Sequence, residues 1–196
     1  MPRHSRATEV HRLFVAASPP VGMAQRMLDL VPRSGGYEHA RPTPLEQIHL
    51  TLLFIGDTAD RLLPHVVESV ERSVAGLSPC VLRVASPMVL PPKGMARVLA
   101  LELSPHRTIL EIHRRLANRL TSTHRMPDRF LPHITIARFP GPGVDRATLA
   151  PWSLPEIDEY PIEFLVDRVI LIRSVLGGGP EGRADHKPVA SIVLGA

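Results

Sequence analysis

The chain has 196 residues, 44% of them apolar, a formal net charge of +4 and a single cysteine, Cys80. That is enough length and apolar content for one domain that buries a core, and the lone thiol excludes a disulfide framework or a clustered thiolate metal site. No apolar run is long enough to span a bilayer, and Met1 to Val10 is polar without the apolar centre of a signal peptide. A cytoplasmic protein is therefore expected, with residues 1–10 as a disordered leader and 11–196 as one bilobal domain. The positive charge is carried almost wholly by arginine, Lys93 and Lys187 being the only lysines. Arginine suits bidentate phosphate contact, although a GC-rich coding sequence gives the same bias together with many Ala and Pro.

Arg12 to Ala17 reads as a strand, broken by Ser18-Pro19-Pro20. Val21 to Val31 carries a helical apolar pattern, and Pro32 to Pro44 reads as a loop. Ile48 to Ile55 reads as a buried strand stopped by Gly56-Asp57. A helix is expected over Ala59 to Ala75, with Pro64 tolerated only in its first turn. Cys80 to Val89 and Arg97 to Leu103 read as strands around a Pro91-Pro92-Lys93-Gly94 loop. Ser104 and Pro105 read as the N-cap and first residue of a helix running to about Thr121.

His133 to Phe139 is a further strand, closed by Pro140-Gly141-Pro142-Gly143, and a short helix is expected near Asp145 to Ala150. Tyr160 to Val166, Arg168 to Leu176 and Lys187 to Leu194 read as closing strands. The Gly177 to Gly182 run reads as a hairpin loop, since no helix follows it to complete a phosphate loop. Strand pairs mixed with helices predict an α+β fold of mainly antiparallel sheet with outer helices.

Two of the strands share a pattern: Ile48-His49-Leu50-Thr51-Leu52 and Pro132-His133-Ile134-Thr135-Ile136. A strand has period two, so each His shares a face with its Thr while Leu50 or Ile134 points the other way. Polar side chains in such strands are costly unless something satisfies them. A lone His of this kind is ordinarily a hydrogen-bonded structural residue. Two matched copies repeat the same exception to apolar patterning, which points to function. His106-Arg107-Thr108 has the same spacing but follows Ser104-Pro105 without strand context, and it reads as a surface feature. The recurrence, each time near one long helix, predicts two pseudo-symmetric lobes with the cleft between them.

The segments Gln47 to Gly56 and Leu131 to Phe139 resemble the two signature motifs of the two-histidine (2H) phosphoesterase superfamily. Within it they are most similar to RNA 2′,3′-cyclic phosphodiesterases, the 2′-5′ RNA ligase family. Arg12 to Ala16, Arg97 to Ala100 and Leu171 to Ser174 add weaker support, so the resemblance runs from about residue 11 to 194. Members often carry an aromatic before the first motif, where this chain has Arg41-Pro42-Thr43-Pro44. They often have a Tyr in the last hairpin, where this chain has Asp185-His186-Lys187. Both regions are expected to shape the pocket.

Two imidazoles can act as acid and base at once, and hydroxyls can donate to non-bridging phosphate oxygens. Spacing alone does not separate acid from base. The resemblance implies that His49 protonates the leaving 3′ oxygen, that His133 activates water, and that Thr51, Thr135 and Arg138 bind the phosphate. A regular strand would turn Arg138 away from His133, so its role requires a bend or bulge. No metal or other cofactor is implied.

The expected partners are RNA ends or nucleotide cyclic phosphates, with no membrane, no obligate protein partner and a monomeric state. The reaction expected is hydrolysis of a terminal 2′,3′-cyclic phosphate to a 2′-phosphomonoester, with weak reverse 2′-5′ ligation. A phosphodiesterase for small cyclic or 2′-5′-linked nucleotides and a non-catalytic RNA-end binder stay open. Phe130 and Phe139 are the favoured base-stacking aromatics. Phe14 and Phe54 read as core, and His186 is the least certain of the histidines assigned to surface or structural roles.

Overall fold

A computed structural model describes residues 10–121, 130–178 and 184–195. The expected leader lies outside them except for Val10, which already belongs to the first strand. In chain order the elements are β1 (Val10–Ala17), α1 (Val21–Asp29), β2 (Arg41–Pro42), β3 (Leu50–Ala59), α2 (Leu63–Val74), β4 (Cys80–Leu90), β5 (Val98–Leu103), α3 (Arg107–Leu120), β6 (His133–Arg138), α4 (Glu156–Glu159), β7 (Glu163–Val166), β8 (Arg168–Val175) and β9 (Asp185–Val193).

The strands form one antiparallel sheet in the order β7-β4-β5-β6-β3-β1-β8-β9, with β2 added beside β6. Its two halves meet at β6 and β3, where a single residue pair, Leu50 opposite Ile134, bridges them. Outward from that joint each half repeats one unit. β1 leads through α1 to the motif strand β3, and β5 leads through α3 to the motif strand β6. The helices cross over: α1 packs against β6, and α3 packs against β3 and α2. The fold is α+β with two pseudo-symmetric lobes, as the recurrence of the motif predicts.

The core lies between the helices and one face of the sheet. Met27 of α1, Val70 of α2 and Ile109, Ile112 and Leu116 of α3 are buried against Leu13, Val15, Leu50, Leu101, Ile134 and Leu171. The opposite face carries only a small apolar floor of Phe14, Ala16 and Ile172. Its polar remainder is the cleft.

Several boundaries differ from the sequence reading for identifiable reasons. β3 runs past Gly56-Asp57 to Ala59, because Gly56 takes a φ of 86° that lets the strand continue through an irregularity. The helix expected from Ala59 opens with a 3₁₀ turn, Asp60–Leu62, before α2, which places Pro64 in the first α-helical turn. Ser104 does not cap α3. His106 does, its Nδ1 accepting the Thr108 backbone N–H at 3.2 Å, so the third His-x-Thr is a helix start. The helix expected over 145–150 is a 3₁₀ turn, Arg146–Thr148. The glycine run joins antiparallel β8 and β9, although residues 179–183 fall outside the described chain. No helix among the described residues is long and apolar enough to cross a membrane.

Because Leu50 and Ile134 are fully buried and supply the bridge between halves, Ile134→Ala is expected to lose about 2–5 kcal/mol of stability. Urea denaturation measures this. A loss well under about 1 kcal/mol would mean that the joint contributes little to holding the halves together.

Candidate active site

The joint places the two motifs face to face. Stepping one residue outward from Leu50–Ile134 in an antiparallel register sets Thr51 beside His133 and His49 beside Thr135. All four side chains line one cleft of about 570 Å³, together with Arg138, Arg12, Arg41 and His186. No carboxylate is among its described lining residues.

The imidazoles are fixed in the same way. His49 Nδ1 lies 2.7 Å from the Gln47 carbonyl, and His133 Nδ1 lies 2.8 Å from the Leu131 carbonyl, two residues back in each case. A carbonyl only accepts, so each Nδ1 carries the proton and donates it. Nε2 is thereby left as the nitrogen each ring offers to the cleft. His49 stands one residue ahead of β3, which begins at Leu50 rather than Ile48.

Arg138 does reach the cleft, and by the device the sequence required. Across β5–β6, Leu99 pairs with Ala137 but Ala100 pairs with Thr135. Ile136 is the extra residue of a bulge, so Ile136 and Ala137 both face the core and Arg138 returns to the face of His133 and Thr135. The Ile136 carbonyl accepts the Thr43 backbone N–H at 2.8 Å, one step on from the β2–β6 pairs. The strand pair β2–β6, absent from the sequence reading, sets Arg41 directly opposite Arg138.

β3 is irregular twice against β1, with Ile55 and Leu52 as the unpaired residues. Leu52 and Leu53 consequently both face the core, and Phe54 turns out into the cleft, 53% exposed. The expectation that Phe54 belongs to the core is corrected by that bulge. Phe54 stacks on Phe14 at 5.6 Å and carries the Arg12 guanidinium 5.4 Å above its ring. The Leu52 carbonyl accepts from His113 Nδ1 at 2.7 Å, which ties α3 to the first motif. The other face of this tie is Phe130, stacked on His113 at 4.1 Å and 6°. Phe130 therefore braces the second motif from α3 and does not line the cleft. Phe139 lines the cleft but is buried against Tyr37.

The residue the sequence reading missed is His186 on β9. It lies 5.5 Å from His49 and 5.0 Å from Phe14, ring centre to ring centre. The signal lay in the Asp185-His186-Lys187 departure, but strand parity could not place it.

Electrostatics follow from burial among cations. The His49 pKa is pushed from its ordinary 6.5 to about 4, by burial first, with His186, Arg138 and His133 adding to it against the bond to Gln47. Burial likewise lowers Arg138 and is the first cause lowering His186. Glu102 pairs across β5–β6 with His133, and its carboxylate accepts from Ser86 Oγ at 2.8 Å.

A family model described as the 2′-5′ RNA ligase superfamily matches residues 19–178. The paired His-x-Thr strands line this cleft, and the chain belongs to the 2′-5′ RNA ligase superfamily. Among curated relatives it is 29% identical over 135 residues to an RNA 2′,3′-cyclic phosphodiesterase of Thermotoga maritima, covering 67% of this chain and 68% of that one. It is 28% identical over 98 residues to the protein of that name from Methanothermobacter thermautotrophicus, covering 50% and 53%. The fold matches that of TT0787 of Thermus thermophilus at a TM-score of 0.75, with 24% identity over 93% of this chain and 97% of that one. It matches E. coli LigT complexed with 3′-AMP at 0.72, with 21% identity over 95% and 99%.

The depressed His49 pKa has a consequence for stability. The unfolded chain takes up this proton near 6.5 and the folded chain only near 4, so stability falls as pH falls between those values. From pH 7 to pH 5 the loss attributable to His49 is about 2 kcal/mol. Urea denaturation of wild type beside His49→Gln isolates it: the variant is expected to lose that much less. Parallel pH curves would contradict the buried neutral imidazole.

Proposed function

We propose that the protein hydrolyses the 2′,3′-cyclic phosphate at an RNA end to a 2′-phosphomonoester. The observation that carries this is the convergence of two Nδ1-anchored imidazoles, with Thr51, Thr135 and Arg138, on one cleft. The names of the curated relatives support the substrate class.

His133 Nε2 takes a proton from water as its oxygen bonds to phosphorus. The bond from phosphorus to the 3′ oxygen breaks, and His49 Nε2–H delivers a proton to that oxygen. Thr51 and Thr135 donate to the non-bridging oxygens, and Arg138 offsets their charge. The acid and base assignments follow the family resemblance, since the two imidazoles are tethered alike. No step calls for a metal. The same path in reverse joins a cyclic end to a 5′-hydroxyl, and the abundance of water sets hydrolysis as the net direction.

His49 must hold a proton to act as the acid, yet burial among cations keeps it neutral at pH 7. An anionic phosphate beside Nε2 favours the charged ring and reverses part of that shift. Ligand binding and proton uptake are thus one event.

Purified protein in EDTA, given an oligoribonucleotide ending in a 2′,3′-cyclic phosphate, is expected to release only the 2′-phosphate. His49→Ala and His133→Ala are each expected to slow turnover by about 10²–10⁴-fold. Turnover of small cyclic nucleotides alone would shift the substrate class, and failure on both would leave a non-catalytic RNA-end binder. Calorimetric titration of a nucleoside 2′-monophosphate at pH 7, in two buffers of different ionisation enthalpy, is expected to show proton uptake that His49→Gln abolishes. Uptake unchanged in that variant would move the acid role away from His49.

A further inference from the structure

We propose that His186 is a third substrate-contacting imidazole, which holds the nucleoside part of the ligand through Nε2 on the His49 side of the cleft. This assignment rests on the proposed function, because it supposes that the phosphate lies between His49 and His133.

A bulge puts His186 there. Across β8–β9, Ala190 pairs with Leu171 on the core face, whereas Pro188 pairs with Ile172 on the cleft face. Val189 is the extra residue. Without it strand parity would send His186 to the helix-covered side. With it His186 pairs with Ser174 and lines the cleft. Gln47 then fixes the strand entry: its side-chain amide donates to the Ala184 carbonyl at 2.9 Å, while its own carbonyl anchors His49. One residue thus positions both imidazoles.

The ring itself is held but unsatisfied. It stands edge-on to Phe14 at 67° and to His49 at 66°. Its Nδ1 is buried and has no partner among the described residues. Nε2 is the nitrogen left to the cleft. Burial lowers its pKa first, Asp185 raises it and Arg138 lowers it, which favours the neutral, hydrogen-bonding ring in the free protein. That chemistry suits a hydroxyl or base edge better than a phosphate. Around it Phe14, Phe54 and Arg12 offer stacking and cation–π surface of the kind a nucleoside uses.

The test compares two probes, inorganic phosphate and a nucleoside 2′-monophosphate, titrated calorimetrically into wild type, His186→Phe and His186→Gln. His186→Phe keeps a ring against Phe14 and removes both nitrogens. It is expected to weaken nucleotide affinity by about tenfold and leave phosphate affinity unchanged, with His186→Gln recovering part of the loss. Unchanged nucleotide affinity overturns the assignment. So does a parallel loss for both probes in both variants, which marks a structural role. The cyclic-phosphate assay on the same preparations keeps the two claims apart. Wild-type turnover with unaltered His186→Phe affinity overturns the His186 assignment alone, whereas absent wild-type turnover overturns the function and leaves the probe comparison to decide His186.

Discussion

One contact between two strands governs the geometry of this protein. Leu50 and Ile134, the middle residues of the two motifs, pair with each other and are both fully buried. Burial fixes which face they take, and strand parity then forces His49, Thr51, His133 and Thr135 onto the opposite face. The apolar residue between each His and Thr is therefore the element that aims them. A one-residue slip at this joint would turn the imidazoles into the core and Leu50 or Ile134 into the cleft, which makes the register strongly specified.

Around that joint the sheet breaks its own period at three places, each of which brings a side chain to the cleft. The bulge at Ile136 delivers Arg138, the irregularity at Leu52 delivers Phe54, and the bulge at Val189 delivers His186. Each bulge releases backbone groups from the ladder, and buried ones must find partners. The Thr43 N–H takes the Ile136 carbonyl, one step on from the β2–β6 pairs, and His113 takes that of Leu52. Groups outside the motif strands thus maintain the distortions on which the cleft depends.

The joint and its consequences were legible because they follow from period two and from an apolar-polar exception stated twice. Arg138 was legible as a condition: the residue is at the right end of the strand, and only a bulge could admit it. Phe54 and His186 were not, because a bulge adds one residue without changing composition. Leu52-Leu53 and Pro188-Val189-Ala190 look like ordinary strand segments. The capping role of His106 was hidden by Ser104-Pro105, a stronger local signal that the chain does not use. Phe130 shows the reverse error, since proximity in sequence to His133 did not mean proximity to the cleft.

The cleft gathers three histidines with Arg12, Arg41 and Arg138, and no carboxylate is among its described lining residues. The nearby His186, Arg138 and His133 disfavour a further positive charge, and that repulsion adds to burial in keeping His49 neutral. An anionic ligand relieves both, so binding energy and protonation state are set together. The most direct test of convergence is a crystal structure with a nucleoside vanadate, whose five-coordinate centre mimics in-line displacement at phosphorus. The account predicts the two apical oxygens hydrogen-bonded to His49 Nε2 and His133 Nε2, one on each side, with Thr51 and Thr135 on equatorial oxygens. Both apical oxygens on one side of the motif pair, or an adduct touching a single histidine, would contradict it.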